Sequence, residues 1–290
     1  MSNIDLIIEE RPADIGDFLV GRLLPFRKKR SVGPFVFIDH MGPAELSENE
    51  NLDVGPHPHI GLSTLTFLFE GNIVHRDSLG TEVEIKPGAV NWMTAGKGIV
   101  HSERTPNWLR NQEKKVHGLQ IWVALPKELE DCEPTFSHTT ALDIPGWSDG
   151  SVDYKLIAGE ALGQKSPVPV HSELYFIEIK ANEDTVIELG DQLYGESALY
   201  ILEGTIEKGE DTFGSKQILV AKEDMLCSFT IKKDATVYIF GGKPFPEERF
   251  IHWKFVSTCK DKIEKAREDW KAQRFDKIPG DEDDFVSLPN

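Results

Sequence analysis

Two histidine-containing stretches carry the residues best suited to chemistry in this chain. Residues 55–59 (GPHPH) and residues 99–103 (IVHSE) each place two candidate ligands two positions apart. Side chains two apart on a strand point to the same face, with Cα atoms about 6.5 to 7 Å apart. Two such strands side by side would bring three imidazoles and one carboxylate to a single point. The pattern therefore predicts a metal site formed by His57, His59, His101 and Glu103.

The ligand types narrow the choice of metal. Neutral imidazole and carboxylate donors suit Fe(II), Mn(II), Ni(II), Cu(II) or Zn(II), and this set extends by one histidine the ligand sets of non-haem iron oxygenases. No thiolate takes part, which argues against a structural zinc site. The alternative is that both pairs are ordinary surface residues of strands, since His-x-His is common by chance. The apolar, turn-punctuated sequence between the two pairs favours the metal site.

Length, charge and cysteine content exclude several classes of protein. The 290 residues are enough for two domains of about 100 to 150 residues each. The net charge is 32 − 49 = −17, which disfavours direct nucleic-acid binding, and the one basic run, residues 27–30, is short enough for a solvated loop. Cys132, Cys227 and Cys259 are sparse, as in a reducing cytosol. Without a signal-peptide pattern or a long apolar run, we expect a cytoplasmic protein without membrane contact, or a nuclear one if the source is eukaryotic.

Short apolar runs separated by glycine and proline dominate the rest of the chain. Between residues 60 and 125 they recur about every ten residues, which is typical of an antiparallel barrel or jelly roll. A second block, residues 152–241, repeats the pattern without paired histidines, and its single His171/Glu173 pair predicts no second metal site. The fold predicted is all-β, with two antiparallel β-barrels over 1–135 and 145–245 and a C-terminal segment over 246–290.

The C-terminal segment differs in pattern from both blocks. Thr258 to Asp261 resembles a capping box with Asp in place of Glu or Gln. Ile263, Ala266, Arg267 and Trp270 then follow at helical spacing, which predicts a helix over 258–274. Residues 276–290 form an acidic tail of low hydrophobicity, and this composition predicts a mobile end.

Three further polar residues are weaker candidates for the site. His40 could line the mouth of the first barrel or serve as a structural histidine beside a turn. His75 and Asp77 alternate on one strand face, where a cross-strand hydrogen-bonding role competes with a catalytic one.

Long motifs in the first block carry a family resemblance. The segments are 37–43 (FIDHMGP), 56–66 (PHPHIGLSTLT), 70–71 (EG), 75–80 (HRDSLG) and 92–103 (WMTAGKGIVHSE). On these motifs the chain resembles the pirins, members of the cupin superfamily. The resemblance implies a bicupin whose first barrel holds one metal, usually iron, on the four predicted ligands, and whose second barrel holds none. General cupins take their carboxylate from the first motif. Here Ser63 and Thr64 occupy that zone, and Glu103 takes its place, as in pirins.

The resemblance implies two competing functions. Some pirins resemble quercetin 2,3-dioxygenases, which open flavonols with O2 and release carbon monoxide, and others are similar to iron-dependent co-regulators that bind a protein partner without turnover. A cupin that binds metal without turnover is a third alternative. The expected cofactor is one divalent transition metal, foremost Fe(II), with Mn, Co, Ni, Cu or Zn as alternatives. In a dioxygenase, Glu103 is predicted to be both ligand and base for the flavonol hydroxyl. Each histidine is expected to be oriented by an acceptor that the sequence does not identify.

Overall fold

The computed structural model describes residues 4–15, 18–222, 226 and 228–289, so Cys227 lies outside the described residues. Within these ranges the chain forms 25 strands, three short 3₁₀ helices and one α-helix. The predicted all-β class with a C-terminal helix is confirmed.

The strands are short and follow one another along the chain with few long connections. The first twelve are β1 (Ile4–Glu9), β2 (Arg11–Asp14), β3 (Leu19–Leu24), β4 (Phe35–Leu46), β5 (Asp53–His59), β6 (Leu62–Glu70), β7 (Ile73–Asp77), β8 (Glu82–Ile85), β9 (Val90–Thr94), β10 (Ile99–Arg104), β11 (Lys114–Ala124) and β12 (Thr135–Thr139). The remainder are β13 (Gly146–Asp149), β14 (Val152–Ala161), β15 (Gln164–Lys165), β16 (Leu174–Ala181), β17 (Thr185–Glu188), β18 (Glu196–Glu203), β19 (Thr205–Lys208), β20 (Asp211–Gly214), β21 (Gln217–Ala221), β22 (Ser228–Ile231), β23 (Thr236–Gly242), β24 (Phe250–His252) and β25 (Phe255–Ser257). The 3₁₀ helices are Asn107–Leu109, Lys127–Leu129 and Gly190–Gln192.

Spatial proximity groups the chain into two compact units. The first unit comprises Pro12–Gly21, Ile38–Ala141 and Pro246–Asn290, and the second comprises Met1–Arg11, Arg22–Phe37 and Leu142–Phe245. Two segments group differently from the predicted sequence boundaries, because residues 22–37 fall in the second unit and residues 246–290 in the first. The division of the chain into domains at 1–135, 145–245 and 246–290 stays a prediction.

Two sheets form the sandwich of the first unit, which also contains the two-stranded sheet β24–β25. The larger has the strand order β12-β9-β6-β11-β4-β3-β2, and the smaller has the order β5-β10-β7-β8. Leu68 and Val116 from the larger sheet share one buried apolar cluster with Ile73 and Ile85 from the smaller. Because each sheet buries one face in this shared core, the unit is a sandwich of the kind that jelly rolls form.

The second unit repeats this layout. Its larger sheet runs β1-β21-β18-β23-β16-β14-β13, with β15 beside β14, and its smaller sheet runs β17-β22-β19-β20. Alternate residues of both sheets fill its interior, for example Ile177 and Leu199 from the larger and Ile206 and Phe229 from the smaller, all nearly inaccessible to solvent. Apolar side chains therefore occupy this core.

The one α-helix among the described residues, α1 (Lys260–Lys271), is shorter than the predicted helix 258–274. Its buried residues are Ile263, Ala266 and Trp270, which confirms the predicted apolar stripe. The capping box is wrong at Thr258, because the Thr258 amide and hydroxyl contact the buried Glu130 carboxylate at 2.8 and 3.3 Å. The helix therefore begins after Cys259. Among the described residues, no helix combines the length and the apolar character that crossing a bilayer requires.

The acidic tail is held against the first unit, so the prediction of a mobile end is wrong. The Asp281 carboxylate accepts two hydrogen bonds from Arg104, at 2.7 and 2.8 Å, and one from Ser102 at 2.6 Å. Asp284 also binds Arg104, and the Val286 amide donates to the Pro56 carbonyl at 2.9 Å. Composition suggested mobility because the opposite charge that holds the tail lies 177 residues away along the chain.

Candidate metal centre

Strand register brings the candidate ligands together. β10 pairs antiparallel with β5 on one side and with β7 on the other, so it is the inner strand of the three. In this register His101 lies opposite His57 on β5 and opposite Asp77 on β7. Directly opposed side chains on one face of an antiparallel pair lie close together. The alternation predicted from sequence therefore places the three histidines on one buried face.

The three imidazoles form a tight, water-excluded cluster. His57, His59 and His101 are 2%, 1% and 1% exposed. The Nε2 atoms of His59 and His101 are 3.1 Å apart, and the ring centroids of His57 and His101 are separated by 4.3 Å. One ligand atom from each ring lies within 4.8 Å of the other two. The predicted imidazole arrangement is thus present, and metal binding by it remains a prediction.

Two backbone carbonyls orient two of these rings. His57 Nδ1 donates to the Gly55 carbonyl at 2.8 Å, and His59 Nδ1 donates to the Lys254 carbonyl at 2.9 Å. A carbonyl oxygen only accepts, so each Nδ1 carries the proton and each Nε2 keeps a free lone pair. Lone pairs held close together in this way repel one another unless a proton or a cation lies between them. The donor set therefore fits a divalent transition metal.

Burial keeps these rings neutral, which is the form that binds metal. Desolvation, with a smaller contribution from the Lys254 charge, lowers the pKa of His59 to about 3. The same two causes, in the same order, hold the pKa of His57 well below its usual value of 6.5. For His101, burial and then the neighbouring His57 lower the pKa in the same direction. At neutral pH, no proton has to leave these nitrogens before metal binds.

These depressed pKa values predict that the metal-free protein loses stability as the pH falls. Above pH about 6.5 the histidines are neutral in both the folded and the unfolded chain, so these groups do not lower the free energy of unfolding there. Below that pH the unfolded chain takes up protons that the buried rings refuse, down to about pH 3 for His59. Each such histidine lowers the free energy of unfolding by up to about 1.4 kcal/mol for each unit by which the pH falls. Urea unfolding at pH 7.0 and 5.5 measures the slope.

The matched variant for this prediction is His59→Gln. It should reduce the slope of the free energy of unfolding against pH by up to about 1.4 kcal/mol per pH unit, the contribution of one proton. Burial raises the pKa of Glu103, so this group binds its proton more tightly in the folded state and acts in the opposite sense. Glu103 is present in both proteins, so its contribution is common to both slopes and the difference between them reports His59. An unchanged slope in His59→Gln would show that the ring titrates normally and contradict the prediction.

Glu103 lies beside the histidine cluster and outside the tightest group of ligand atoms. Its strand pairs in register with β7, where it faces His75, but the pairing with β5 is shifted between His101 and Glu103. The carboxylate is 8% exposed, and its Oε1 lies 3.1 Å from the Thr66 hydroxyl. The structure thus places all four predicted ligands in one buried region, and the role of Glu103 as a ligand stays a prediction.

The weaker candidates occupy two different places. His75 and Asp77 lie directly behind His101, with His75 Nδ1 3.4 Å from His101 Nδ1. His40 forms a buried pair with His117, whose Nε2 atoms are 2.8 Å apart. Neither His40 nor His117 belongs to the cluster of ligand atoms found among the described residues.

Sequence reasoning missed two contributors to the site. Lys254 lies in the turn between β24 and β25, where its carbonyl orients His59 and its charge acts on the buried rings. Thr66 lies on β6 beside Glu103. The strand alternation around residue 66 is a signal that could have identified Thr66. Nothing local to Lys254 indicates its position, since it is 195 residues from His59.

Two sandwich units, of which the first buries a histidine triad, define the class: a bicupin with a candidate metal centre. The sequence matches the family model described as Pirin over residues 18–123 and the model described as Pirin C-terminal cupin domain over residues 175–276. A pirin-like protein of Caulobacter vibrioides is 46% identical over 290 residues, covering 99% of each chain. The chain therefore belongs to the pirin family, which confirms the resemblance expected from its motifs.

More distant comparisons agree with this assignment. Pirin-1 of Arabidopsis thaliana is 32% identical over 254 residues, which cover 84% of this chain and 83% of that protein. A crystal structure of quercetin 2,3-dioxygenase from Acinetobacter baumannii aligns with a TM-score of 0.90 and 34% identity. That alignment covers 98% of this chain and 95% of the other. The two-unit fold is thus shared over nearly the whole length.

Proposed function

We propose that this protein is a metal-dependent dioxygenase of the pirin type that opens flavonols such as quercetin with O2. The observation that carries the proposal is the convergence of His57, His59 and His101 in a buried cluster with oriented, neutral rings. The similarity to a quercetin 2,3-dioxygenase over 98% of the chain supports a flavonol as the substrate class.

The residues that would hold the metal are the three histidines and Glu103. Fe(II) is the first choice, and Mn, Co, Ni, Cu and Zn are alternatives that the donor set also accepts. When bound, the ion supplies Lewis acidity toward a substrate hydroxyl and a centre for oxygen chemistry. The chain contributes neutral imidazoles and a cluster from which bulk water is excluded.

Glu103 is the residue suited to take the substrate proton. Burial raises the pKa of its carboxyl group, against the opposing effects of His75 and the Thr66 hydroxyl. A general base is most effective when its pKa lies near the working pH, so a raised carboxyl pKa favours this role. The Thr66 hydroxyl, 3.1 Å from Oε1, can steady the carboxylate while the flavonol 3-hydroxyl is deprotonated.

The experiment is reconstitution of the full chain with each metal in turn. Protein loaded with Fe(II), Mn, Co, Ni or Cu is mixed with quercetin under O2, and loss of quercetin absorbance is followed together with release of carbon monoxide. Free-metal and metal-free controls correct for autoxidation of the flavonol. We expect metal-dependent turnover with carbon monoxide release.

We expect Glu103→Gln to lower turnover by about 10² to 10⁴-fold, the range typical of a lost general base. Glu178→Gln is the matched control, since Glu178 is a buried carboxylate of the second unit that accepts a hydrogen bond from the Tyr238 hydroxyl. Equal activity of the two variants would contradict the role of Glu103. A filled site without turnover for any metal would favour the alternative, an iron-dependent redox sensor that regulates a protein partner.

A further inference from the structure

One ring of the triad is oriented differently from the other two. His57 and His59 donate to backbone carbonyls, whereas His101 Nδ1 faces a side chain, His75 Nδ1, at 3.4 Å. A carbonyl can only accept, but an imidazole nitrogen can either donate or accept. The state of His101 is therefore set by whatever fixes His75.

His75 is fixed from two sides. Its Nε2 lies 3.0 Å from Asp77 Oδ2, and its ring stacks on Phe136 with centroids 4.4 Å apart and an interplanar angle of 22°. Asp77 is fully buried, and its Oδ1 accepts hydrogen bonds from the amides of Leu79 and Thr81 at 2.9 and 3.1 Å. The turn after β7 thus holds the carboxylate, and the carboxylate holds the ring.

The donor and acceptor of each hydrogen bond can be assigned from the Asp77 carboxylate through His75 to His101. Burial opposes the charge on Asp77, but the hydrogen bond from His75 and the bonds from Thr81 keep the pKa of Asp77 below its usual value. The ionised carboxylate only accepts, so His75 Nε2 carries a proton, and the tautomer that this hydrogen bond selects has its lone pair at Nδ1. That lone pair accepts the Nδ1 proton of His101. The Nε2 atom of His101 is then a free electron-pair donor that faces His59 Nε2 at 3.1 Å.

We propose that His75 and Asp77 are positioning residues, which hold His101 in the tautomer with its proton on Nδ1 and so set the strength with which its Nε2 binds the metal. The inference rests on the proposed metal centre. His75 is not a fourth ligand, because its Nδ1 faces the outer nitrogen of His101 and it lies outside the cluster of ligand atoms. Outer partners of this kind typically change metal affinity about 10- to 100-fold.

Asp77→Asn is the sharpest variant for testing this chain of hydrogen bonds. The side-chain oxygen of the substituted amide can keep both backbone amide bonds, which leaves its NH2 group facing His75 Nε2. His75 must then move its proton to Nδ1, where it opposes the Nδ1 proton of His101. The His101 proton is forced onto Nε2, the atom that would bind metal. We expect Zn(II) affinity, measured by competition with a chelator, to fall about 10- to 100-fold.

His75→Phe is a second variant that separates orientation from packing. Phenylalanine can keep the stack on Phe136 but offers no nitrogen to His101, so a similar loss of Zn(II) affinity is expected. Glu178→Gln replaces a buried carboxylate of the second unit and should leave the affinity unchanged. The visible spectrum of the Co(II) form reports the ligand field and should change in the first two variants and not in the control.

A direct readout is ¹⁵N NMR of the Zn(II)-loaded wild-type protein. We expect His101 to be bound through Nε2 with its proton on Nδ1, and His75 to carry its proton on Nε2. Binding of His101 through Nδ1, or wild-type Zn(II) affinity in folded Asp77→Asn, would overturn the positioning role alone. Absence of Zn(II) binding by the wild-type protein would overturn the metal centre itself, and the positioning role with it. If a variant does not fold, the wild-type tautomers decide.

Discussion

His101→Ala should abolish metal binding while the metal-free protein stays folded. Removing one of three imidazoles leaves two nitrogens and a carboxylate, so we expect affinity for Zn(II) or Fe(II) to fall by more than about 100-fold, beyond the loss typical of an outer partner. Quercetin turnover should disappear with the metal. Equilibrium dialysis followed by metal analysis measures the first effect, and quercetin absorbance measures the second.

The fold should survive because we expect apolar packing to stabilise the first unit without a bound metal. Its buried clusters include Leu68, Ile85 and Val116 in one group and Met93 and Ile99 in another. None of these side chains is lost in the variant. The substitution removes one ring from a cluster of polar groups that is costly to desolvate. We therefore expect the free energy of unfolding of the metal-free protein, measured with urea, to change by no more than about 3 kcal/mol, the ordinary range for point substitutions.

His138→Ala is a suitable control for loss of a histidine from the same unit. His138 is exposed, bonds to Asn91 at 2.7 Å and lies outside the cluster of ligand atoms found among the described residues, so its loss should leave metal affinity intact. Unfolding of His101→Ala in the absence of metal would show that the ring is needed for the fold. Metal binding at wild-type strength would remove His101 from the ligand set.

The positions of the triad could be predicted from sequence because they follow from local alternation. His57 and His59 share a face, as do His101 and Glu103, and one antiparallel pairing brings the two faces together. The pairing register itself was not predictable in detail. Its shift between His101 and Glu103 explains why the carboxylate lies beside the cluster and not within its tightest group.

The groups that orient the rings could not be predicted, because they come from distant parts of the chain. Lys254 reaches His59 only through the hairpin β24–β25, and His75 reaches His101 across the β7–β10 pairing. The same cause explains the error about the tail. Local composition indicates only how much apolar surface residues 276–290 can bury. It does not show that Arg104 forms an ion pair with Asp281, or that the Pro56 carbonyl accepts a hydrogen bond from the Val286 amide.

Trp270→Ala should destabilise the first unit by an amount near the upper end of the range for single substitutions. Trp270 is 4% exposed, and its ring lies within 6.4 Å, centroid to centroid, of Trp253, Phe275 and Phe285. Its Nε1 donates to the Val286 carbonyl at 2.9 Å. Truncation of a buried tryptophan leaves a large cavity, so we expect a loss of about 3 to 5 kcal/mol in the free energy of unfolding.

The same substitution should also weaken the metal centre. Trp270 packs on Trp253, which adjoins Lys254 in the turn whose carbonyl holds the Nδ1 proton of His59. Loosening this turn frees the ring to rotate, so metal affinity should fall without any change to a ligand. Hydrogen exchange should report early opening of the Val286 amide, which donates to Pro56 beside His57.

Two further variants define the limits of this prediction. Trp270→Phe keeps an aromatic ring in the cluster and loses the bond to Val286, so it should cost less than the alanine variant, with about 1 kcal/mol coming from the hydrogen bond. Trp108 is 56% exposed, and Trp108→Ala should stay within about 1 kcal/mol of wild type. If Trp270→Ala lowered the free energy of unfolding no more than Trp108→Ala, the helix and tail would contribute little to the stability of the sandwich. A loss in the expected range, together with weaker metal binding, makes the C-terminal segment a structural part of the site.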